Sequence, residues 1–290
     1  MRTSYSDHVK AGTLESYQER MARVVAHIEG HLDEPLPLED LAAVACFSPY
    51  HFHRVFRGMV GESVKEHVRR LRLERAARRL LRDDSTVLAL ALDAGYQTPE
   101  SFTRAFDALF GLAPSVFRKN GGKMDAESKI KKAALPAVEV AVRRLEPMRV
   151  AYARHVGPYN QVGTAWSKLC MWAGPKGLLG PNAVRLGISH DDPEITPPER
   201  LRYDAAIVVP DSVTGSGEVA IQDIPGGEYA VAVHRGPYDR LNETYAVLCG
   251  QWLPASGREA RDAPPLEFYR IAFGEAPPEE FLTEIFVPLA

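Results

Sequence analysis

An internal repeat of 50 residues near the N-terminus constrains the fold more than any other feature of the chain. Residues 48–56 align with residues 98–106, and Gly61 then falls on Gly111. Each segment opens with Ser or Thr followed by Pro, which is typical of a helix start: the hydroxyl caps the first turn, and Pro lacks only an N–H that would have no partner there. Apolar residues recur at helical spacing after each start. The repeat therefore predicts two similar helices, each with one buried face and one polar face.

A short helix is predicted before each of these two helices. Residues 38–45 lead through Cys46 and Phe47 into the first, and residues 87–94 lead through Gly95, Tyr96 and Gln97 into the second. A helix, a tight turn and a second helix with exposed polar residues form a helix-turn-helix unit. We therefore predict two such units in an all-α N-terminal region.

The segment between the two units is predicted to be one continuous helix. Ser63 and Glu66 have the spacing of a capping box, and neither Gly nor Pro follows until after Leu81. Nineteen residues span roughly 28 Å, which is close to the roughly 34 Å between major-groove openings on one face of DNA. This spacer has a suitable length to place the two helices in adjacent grooves.

Charge is distributed unevenly along the chain. The net charge is −3, yet residues 54–82 contain ten Lys and Arg against three Glu. A basic front half and an acidic rear half indicate two different partners, with double-stranded DNA the natural partner of the front. A solvated arginine-rich helix would show the same composition, and charge alone does not separate the two interpretations.

Residues 13–120 resemble the AraC-type DNA-binding domain. The strongest match runs from Asp93-Ala94-Gly95-Tyr96 through Phe102, Arg104 and Phe106 to Phe117-Arg118. The resemblance implies that base-reading residues lie on the two predicted recognition helices, at Tyr50, His53, Arg54, Glu100, Ser101 and Arg104. Two positions depart from the family pattern: Cys46 stands in a turn where Gly is common, and Glu100 would bring an anion towards DNA.

The second half contains a repeat of 79 residues. Residues 155–159 (His-Val-Gly-Pro-Tyr) align with residues 234–238 (His-Arg-Gly-Pro-Tyr), and Leu169-Cys170 aligns with Leu248-Cys249. Residues 121–134 are polar and glycine-rich at their start, and we interpret them as a linker. Each unit is predicted as β-α-β-β, and the two units are expected to form one antiparallel sheet with a groove at their pseudo-twofold axis. Both cysteines are expected to pack in the core.

Residues 135–290 resemble the GyrI-like effector-binding domain. The match includes Asp191-Asp192-Pro193, Arg202-Tyr203-Asp204, Ile224-Pro225-Gly226-Gly227 and Leu266-Glu267-Phe268-Tyr269. The resemblance implies an α+β fold whose groove binds a small hydrophobic, often cationic effector, with a buried Glu on the last strand. That position matches Glu284, and the expected aromatic walls are Tyr269, Trp172, Tyr203 and Trp166. Ordinary core packing is the alternative for each aromatic residue, and an edge position facing solvent is the alternative for Glu284.

These patterns predict a DNA-binding transcriptional regulator with RNA polymerase as a further partner. The alternative is a GyrI-like hydrolase in which Glu284 and Tyr269 act as base and acid. The chain shows no apolar run of about 18 residues and no apolar segment at its start, so a cytoplasmic protein without a membrane partner is expected. Spacings typical of a catalytic nucleophile, a metal site or a cofactor-binding loop are lacking, so neither catalysis nor a cofactor is expected.

Overall fold

The protein is described here by a computed structural model that covers residues 5–122, 135–193, 196–271 and 274–290. Within these ranges, the side chains of residues 5–11 and of Tyr50 are not described. The N-terminal half is helical, with α1 (Tyr5–Gly30), α2 (Leu38–Val44), α3 (Pro49–Val60), α4 (Val64–Arg82), α5 (Val87–Asp93), α6 (Pro99–Phe110) and α7 (Pro114–Lys119).

The two predicted helix-turn-helix units are α2–α3 and α5–α6, and local sequence explains their geometry. The turn residues Cys46 and Gly95 occupy equivalent positions, with φ of 54° and 83°. Glycine adopts this left-handed conformation freely, whereas a side chain makes it costly. Thr98 caps α6 by accepting from the backbone N–H of Ser101. Ser48 instead hydrogen-bonds to the His51 ring.

The spacer helix α4 has the predicted 19 residues and the predicted capping box at Ser63 and Glu66. Several of its arginines fasten it to its neighbours: Arg72 donates to the carbonyl of Leu32, and Arg79 donates to Asp93. Much of the arginine content of residues 54–82 therefore stabilises the helical half internally. The exposed basic residues of α4 are Lys65, Arg69, Arg78 and Arg82.

The C-terminal half contains β1 (Val140–Leu145), β2 (Met148–Val156), α8 (Gly163–Ala173), β3 (Arg185–Ser189), β4 (Arg202–Val208), β5 (Val219–Ile224), β6 (Gly227–Arg235), α9 (Leu241–Val247), a π-helical turn (Leu248–Trp252), α10 (Leu253–Ser256), β7 (Leu266–Ile271) and β8 (Leu282–Pro288). In the described part of the chain, the eight strands form one antiparallel sheet in the order β1-β6-β8-β7-β3-β4-β2-β5. The duplication is confirmed, but each unit has one more leading strand than predicted and reads β-β-α-β-β.

The two leading strands are exchanged between the units. β1 pairs with β6 of the second unit, and β5 pairs with β2 of the first. Only two residues join β1 to β2, although these strands are first and seventh in the sheet, so the sheet must curve until its edges approach each other. The two tight turns meet, since a Cβ added at Gly226 would lie 2.9 Å from the carbonyl oxygen of Leu145.

The two faces of the curved sheet have different partners. The inner face is filled by apolar side chains, namely Val150, Leu186, Ile188, Ala206, Ile224, Tyr229, Val231, Leu266, Phe268 and Phe286. The outer face carries α8 over one half and α9 over the other. The central strands β3 and β7 therefore form the floor of a groove between the two helices.

The hydrophobic cores do not follow the predicted division into residues 13–120 and 135–290. Side chains of α1, α2 and α3 share one continuous core with α9, α10, β6 and β8. The second helix-turn-helix unit has a separate core built on Phe102, Phe106 and Leu90. The first unit is thus built into the C-terminal half, whereas the second is joined to it through α4. Of the predicted linker, Gly121 and Gly122 follow α7, and residues 123–134 lie outside the described residues.

Candidate functional site

A buried carboxylate, Glu267, lies on β7 at the floor of the groove. The side chain is 4% exposed. It accepts hydrogen bonds from the Tyr245 and Tyr269 hydroxyls, each at 2.8 Å, and from Ser189 Oγ at 3.1 Å. A buried carboxylate retains its charge only where donors or cations replace the lost water. These three hydroxyls make Glu267 the anionic centre of the groove.

A chain of aromatic donors points towards this carboxylate. Trp166 Nε1 donates to the Tyr203 hydroxyl at 3.2 Å, and the Tyr203 and Tyr269 hydroxyls are 2.8 Å apart. Because Tyr269 gives its only proton to Glu267, Tyr203 must donate to Tyr269. Burial first, and then the charge of Glu267, raise the pKa of Tyr203, so its hydroxyl keeps its proton.

The close approach of the tyrosines requires a glycine beneath them. A Cβ added at Gly187 of β3 would collide with the hydroxyls of both Tyr203 and Tyr269. Burial and Glu267 also raise the pKa of Tyr269 and of Tyr245 well above 10. All three tyrosines are therefore neutral donors around a single anion.

Three of the five predicted effector-site residues, Trp166, Tyr203 and Tyr269, come together in this groove, and Trp172 does not. Trp172 Nε1 donates to Ser216 Oγ at 2.8 Å, on the loop before β5. The Lys176 ammonium lies 4.6 Å from the centre of the Trp172 ring. Trp172 therefore fastens α8 to a neighbouring loop.

Glu284 is also placed away from the groove. It is paired with Phe268 across β7 and β8, and both side chains lie on the inner face of the sheet, whereas Glu267 lies on the outer face. Its carboxylate bridges Arg143 and Arg270, each at 2.7 Å. Burial raises the pKa of Glu284, but the hydrogen bonds from these two arginines outweigh it and lower the pKa overall. The expected place of Glu284 in the groove is thus corrected by the strand register.

The sequence does contain a signal for Glu267. It is an acidic residue within the apolar strand Leu266-Glu267-Phe268-Tyr269, and Glu284 is likewise an acidic residue among apolar positions of β8. Alternation along each strand shows which residues share a face, but it does not show which face meets the helices. The sequence gives no comparable indication that Tyr245 belongs to the site, because its position in α9 is that of an ordinary core residue.

The predicted DNA-reading face of α3 contacts the C-terminal half. His53 and Arg54 are 3% and 8% exposed. His53 Nδ1 is 3.0 Å from Asp192 Oδ2 in the loop after β3. The guanidinium carbon of Arg54 lies 4.0 Å from the centre of the Tyr245 ring. Tyr50 lies in the first turn of α3, and its side chain is outside the described set.

The equivalent face of α6 is open. Glu100 and Arg104 are exposed, and Ser101 is half-buried. Ser101 Oγ donates to the carbonyl of Thr98 at 2.8 Å, so this hydroxyl helps to close the first turn of α6. The two recognition helices therefore differ in access: α6 presents its predicted face to solvent, whereas α3 turns the equivalent face onto the groove.

Two glycines allow α3 to approach the C-terminal half so closely. A Cβ added at Gly250 would lie 2.7 Å from the carbonyl carbon of Gly58 and 2.9 Å from its nitrogen. The equivalent residue of the first repeat is Met171, which is 71% exposed. The cysteines differ in the same way, since Cys249 is buried and Cys170 is exposed. The core position predicted for both is correct only for Cys249, because α1 and α3 cover only the second repeat.

Together, the two helix-turn-helix units and the groove define a helix-turn-helix protein with a small-molecule-binding domain. A model of the GyrI-like small molecule binding domain matches residues 138–290, and a helix-turn-helix domain model matches residues 41–120. The chain belongs to the GyrI-like family and carries an AraC-type helix-turn-helix region at its N-terminal end.

Curated relatives are similar to parts of the chain. The probable transcriptional regulator YgiV of Escherichia coli K12 is 37% identical over 130 residues, which is 43% of this chain and 79% of YgiV. The transcriptional activator AarP of Providencia stuartii is 34% identical over 98 residues, which is 34% of this chain and 73% of AarP. The uncharacterized regulator YbfP of Bacillus subtilis is 36% identical over 102 residues, 35% of each chain. The chain spans about a third of the length of YbfP and of the right origin-binding protein of Escherichia coli, at 35% and 32%.

Among the described residues, none of the helices has the length and hydrophobicity that a membrane span requires. The described part of the chain also contains no group of three or more His, Cys, Asp or Glu side chains placed to hold a metal ion.

Proposed function

We propose that this protein is a DNA-binding transcriptional regulator whose C-terminal domain binds a small hydrophobic cation at Glu267. Glu267 carries the proposal: it is a buried carboxylate surrounded by tyrosines in a groove between two helices. An anion held among aromatic rings attracts a lipophilic cation by charge and by cation–π contact. Glu267 therefore replaces Glu284 as the carboxylate that we propose to bind the cation. It lies on the preceding strand and on the face of the sheet that meets the helices.

The DNA contacts proposed for this regulator lie on the two recognition helices. Arg104 on α6 is exposed and is the residue that we propose to read a base, because Arg to guanine is the commonest specific contact in the major groove. Arg54 is its equivalent on α3 and is proposed to read the adjacent groove. RNA polymerase is a further proposed partner, since a regulator of this class acts at promoters.

Hydrolysis is the competing function for the groove. A carboxylate beside a tyrosine hydroxyl, as in Glu267 and Tyr269, has the composition of a general base and a general acid. However, the carboxylate already accepts hydrogen bonds from three hydroxyl groups, and Tyr203 and Tyr269 form a single directed chain that ends on it. Three of the roughly four acceptor positions of the carboxylate are thus occupied, which leaves little of it to accept a proton from a substrate or a water molecule. The proposal is accordingly for binding without turnover.

Titration calorimetry with tetraphenylphosphonium tests this function, with Glu267→Gln compared against Glu284→Gln. Both variants keep the side-chain shape and remove one charge, but on opposite faces of the sheet. Loss of one charge pair at low effective dielectric is expected to weaken binding by on the order of 2–4 kcal/mol, or about 30- to 1,000-fold, for Glu267→Gln alone.

Triphenylphosphine oxide, a neutral compound of similar shape, controls for burial without charge. It is expected to bind the wild-type protein and Glu267→Gln about equally. Equal losses of tetraphenylphosphonium binding in both Gln variants would remove Glu267 from the site, and appearance of a cleaved product from a hydrolysable cation would favour the enzyme.

A further inference from the structure

Arg54 occupies the groove in the manner of a bound cation. Its guanidinium is buried and lies over the Tyr245 ring, and Tyr245 is one of the donors to Glu267. Burial alone would lower the pKa of Arg54, but its electrostatic interactions with nearby acidic groups, among them Tyr245, Asp192 and Glu267, raise it overall. The groove that we propose for a cationic effector therefore already contains a positive charge that belongs to the chain.

The same side chain is the base-reading candidate of the first recognition helix. A guanidinium stacked on Tyr245 cannot also reach the edge of a base pair, because this contact places α9 directly against the predicted DNA-reading face of α3. His53, on the same face of α3, is held at 3.0 Å by Asp192. We call α3 docked when this face lies against the C-terminal half, and in the docked state this face cannot read the major groove.

The docking is a specific contact of the second repeat. Gly250 allows the backbone of α3 to approach at Gly58, and the equivalent Met171 of the first repeat is exposed. The packing is so close that no side chain fits between the two backbones. A site that accepts α3 on only one of two pseudo-equivalent helices indicates a surface fitted to this helix.

We propose that Arg54 is an internal ligand of the effector groove, and that a cationic effector displaces it and releases the DNA-reading face of α3. The proposal rests on the proposed function, because it requires that the groove bind a cation. The effector would replace Arg54 in the groove, and DNA would bind the face of α3 that is covered in the docked state, so each of them competes with docking. By linkage, the effector then strengthens DNA binding and DNA strengthens effector binding by the same factor.

The docked arginine has an unsatisfied hydrogen-bond donor, which makes it easier for such a cation to displace it. Nη1 of Arg54 is buried and has no hydrogen-bond partner among the described residues. A buried donor without a partner weakens the contact that it belongs to. An organic cation with no N–H groups, such as tetraphenylphosphonium, would keep the charge and the aromatic contact without that unmet requirement.

The reactivity of the Cys249 thiol measures whether α3 is docked, and this measurement does not require that the operator sequence be known. Its thiol is buried in the core shared with α1 and α3, and burial raises its pKa to about 11, so the docked state should react slowly with a disulfide reagent. Cys46 and Cys170 are exposed and would mask the signal. The full chain with Cys46→Gly and Cys170→Ser therefore contains Cys249 as its one remaining thiol.

The experiment measures the reaction of Cys249 with 5,5′-dithiobis(2-nitrobenzoate), with and without tetraphenylphosphonium. We expect the cation to accelerate the reaction about tenfold or more, and Arg54→Ala or Arg54→Gln to accelerate it without the cation. Arg104→Ala, the same change on the exposed recognition helix, is the matched control and should leave the rate unchanged. A rate that responds to neither the cation nor the Arg54 variants would overturn the proposal.

Calorimetry separates this proposal from the function on which it rests. If Arg54 is an internal competitor, Arg54→Ala binds tetraphenylphosphonium about tenfold more tightly than the wild type, and Arg104→Ala binds it equally. Absence of binding in every variant would refute the proposed function. Binding of equal strength in wild type and Arg54→Ala would leave that function standing and refute the internal ligand.

The predicted effect on DNA affinity is measured by fluorescence anisotropy of a labelled 30-base-pair duplex of random sequence at low salt. Tetraphenylphosphonium is expected to tighten binding of the wild type about tenfold or more, and to have no effect on Glu267→Gln. Weaker DNA binding in the presence of the cation would contradict the release of α3.

Discussion

Gly250→Ala is the substitution for which the structure makes the sharpest prediction. The new Cβ would lie 2.7 Å from the carbonyl carbon of Gly58 and 2.9 Å from its nitrogen. Non-bonded carbon atoms pack best at about 3.5–4.0 Å, so α3 would have to retreat by about 1 Å. Both sides of the contact are backbone, and no rotamer change can relieve it.

The expected cost is that of overpacking a tight interface, about 1–3 kcal/mol. The gain in helix propensity from Gly to Ala, at most about 1 kcal/mol, offsets part of it. Urea denaturation of the full chain measures the net change in the free energy of unfolding. The Cys249 reaction rate measures the loosening of α3 separately and should rise even where the net stability changes little.

Met171→Ala is the matched control, because Met171 is the equivalent residue of the first repeat and is 71% exposed. Its effect should stay within about 0.5 kcal/mol, as for an ordinary surface substitution. If Gly250→Ala were as stable as the wild type and left the Cys249 thiol equally protected, the backbone contact with α3 would not exist in solution.

Four further substitutions test three separate features. Cys46→Gly relieves a side chain at φ 54° and should stabilise the protein by about 0.5–1 kcal/mol in urea denaturation, whereas Gly95→Ala at φ 83° should destabilise it by about 1 kcal/mol. Burial, with a smaller contribution from Arg54, lowers the pKa of His51 from 6.5 to about 4. His51 therefore binds a proton more readily in the unfolded chain than in the folded one. Its contribution to the free energy of unfolding is fully present above about pH 6.5, and the free energy falls by up to about 3 kcal/mol as the pH drops to about 4. His51→Gln should flatten that dependence in denaturation curves recorded across the pH range, and an unchanged slope would exclude His51 as its source. Arg104→Ala should cost about 1–3 kcal/mol on an operator selected from random duplexes and relax the preference at one base, and a preference that stays intact would remove α6 from base reading.

Short-range signals in the sequence predicted most of the helical half. Helix starts at Ser48 and Thr98, the capping box at Ser63 and the turn glycine Gly95 are local features, and the structure has each where it was expected. The position of α3 on the groove could not be predicted this way. It depends on Gly58 and Gly250, which are nearly 200 residues apart, and a lone glycine in a helix carries no information about its partner.

The sheet shows the same division between local and long-range information. The 79-residue repeat predicted the duplication and the two helices, but it begins at His155 and His234, within β2 and β6, so it gave no information on the leading strands β1 and β5. Assignment of the groove carboxylate failed for a related reason. Glu267 and Glu284 both interrupt apolar strands, and only the pairing of Phe268 with Glu284 shows which of them faces the helices.

Because β1 and β5 are exchanged, neither repeat contains all the strands that pair with one another in its half of the sheet. Residues 138–210 alone would leave β1 without the strand on which it lies, and β2 without its outer neighbour. Since β2 and β6 are equivalent, two copies of that fragment could supply each other's missing strand and rebuild the sheet as a domain-swapped homodimer. The present chain has the arrangement of such a dimer in a single polypeptide, with the exposed Met171 in one repeat at the position where the other repeat has the glycine that receives α3.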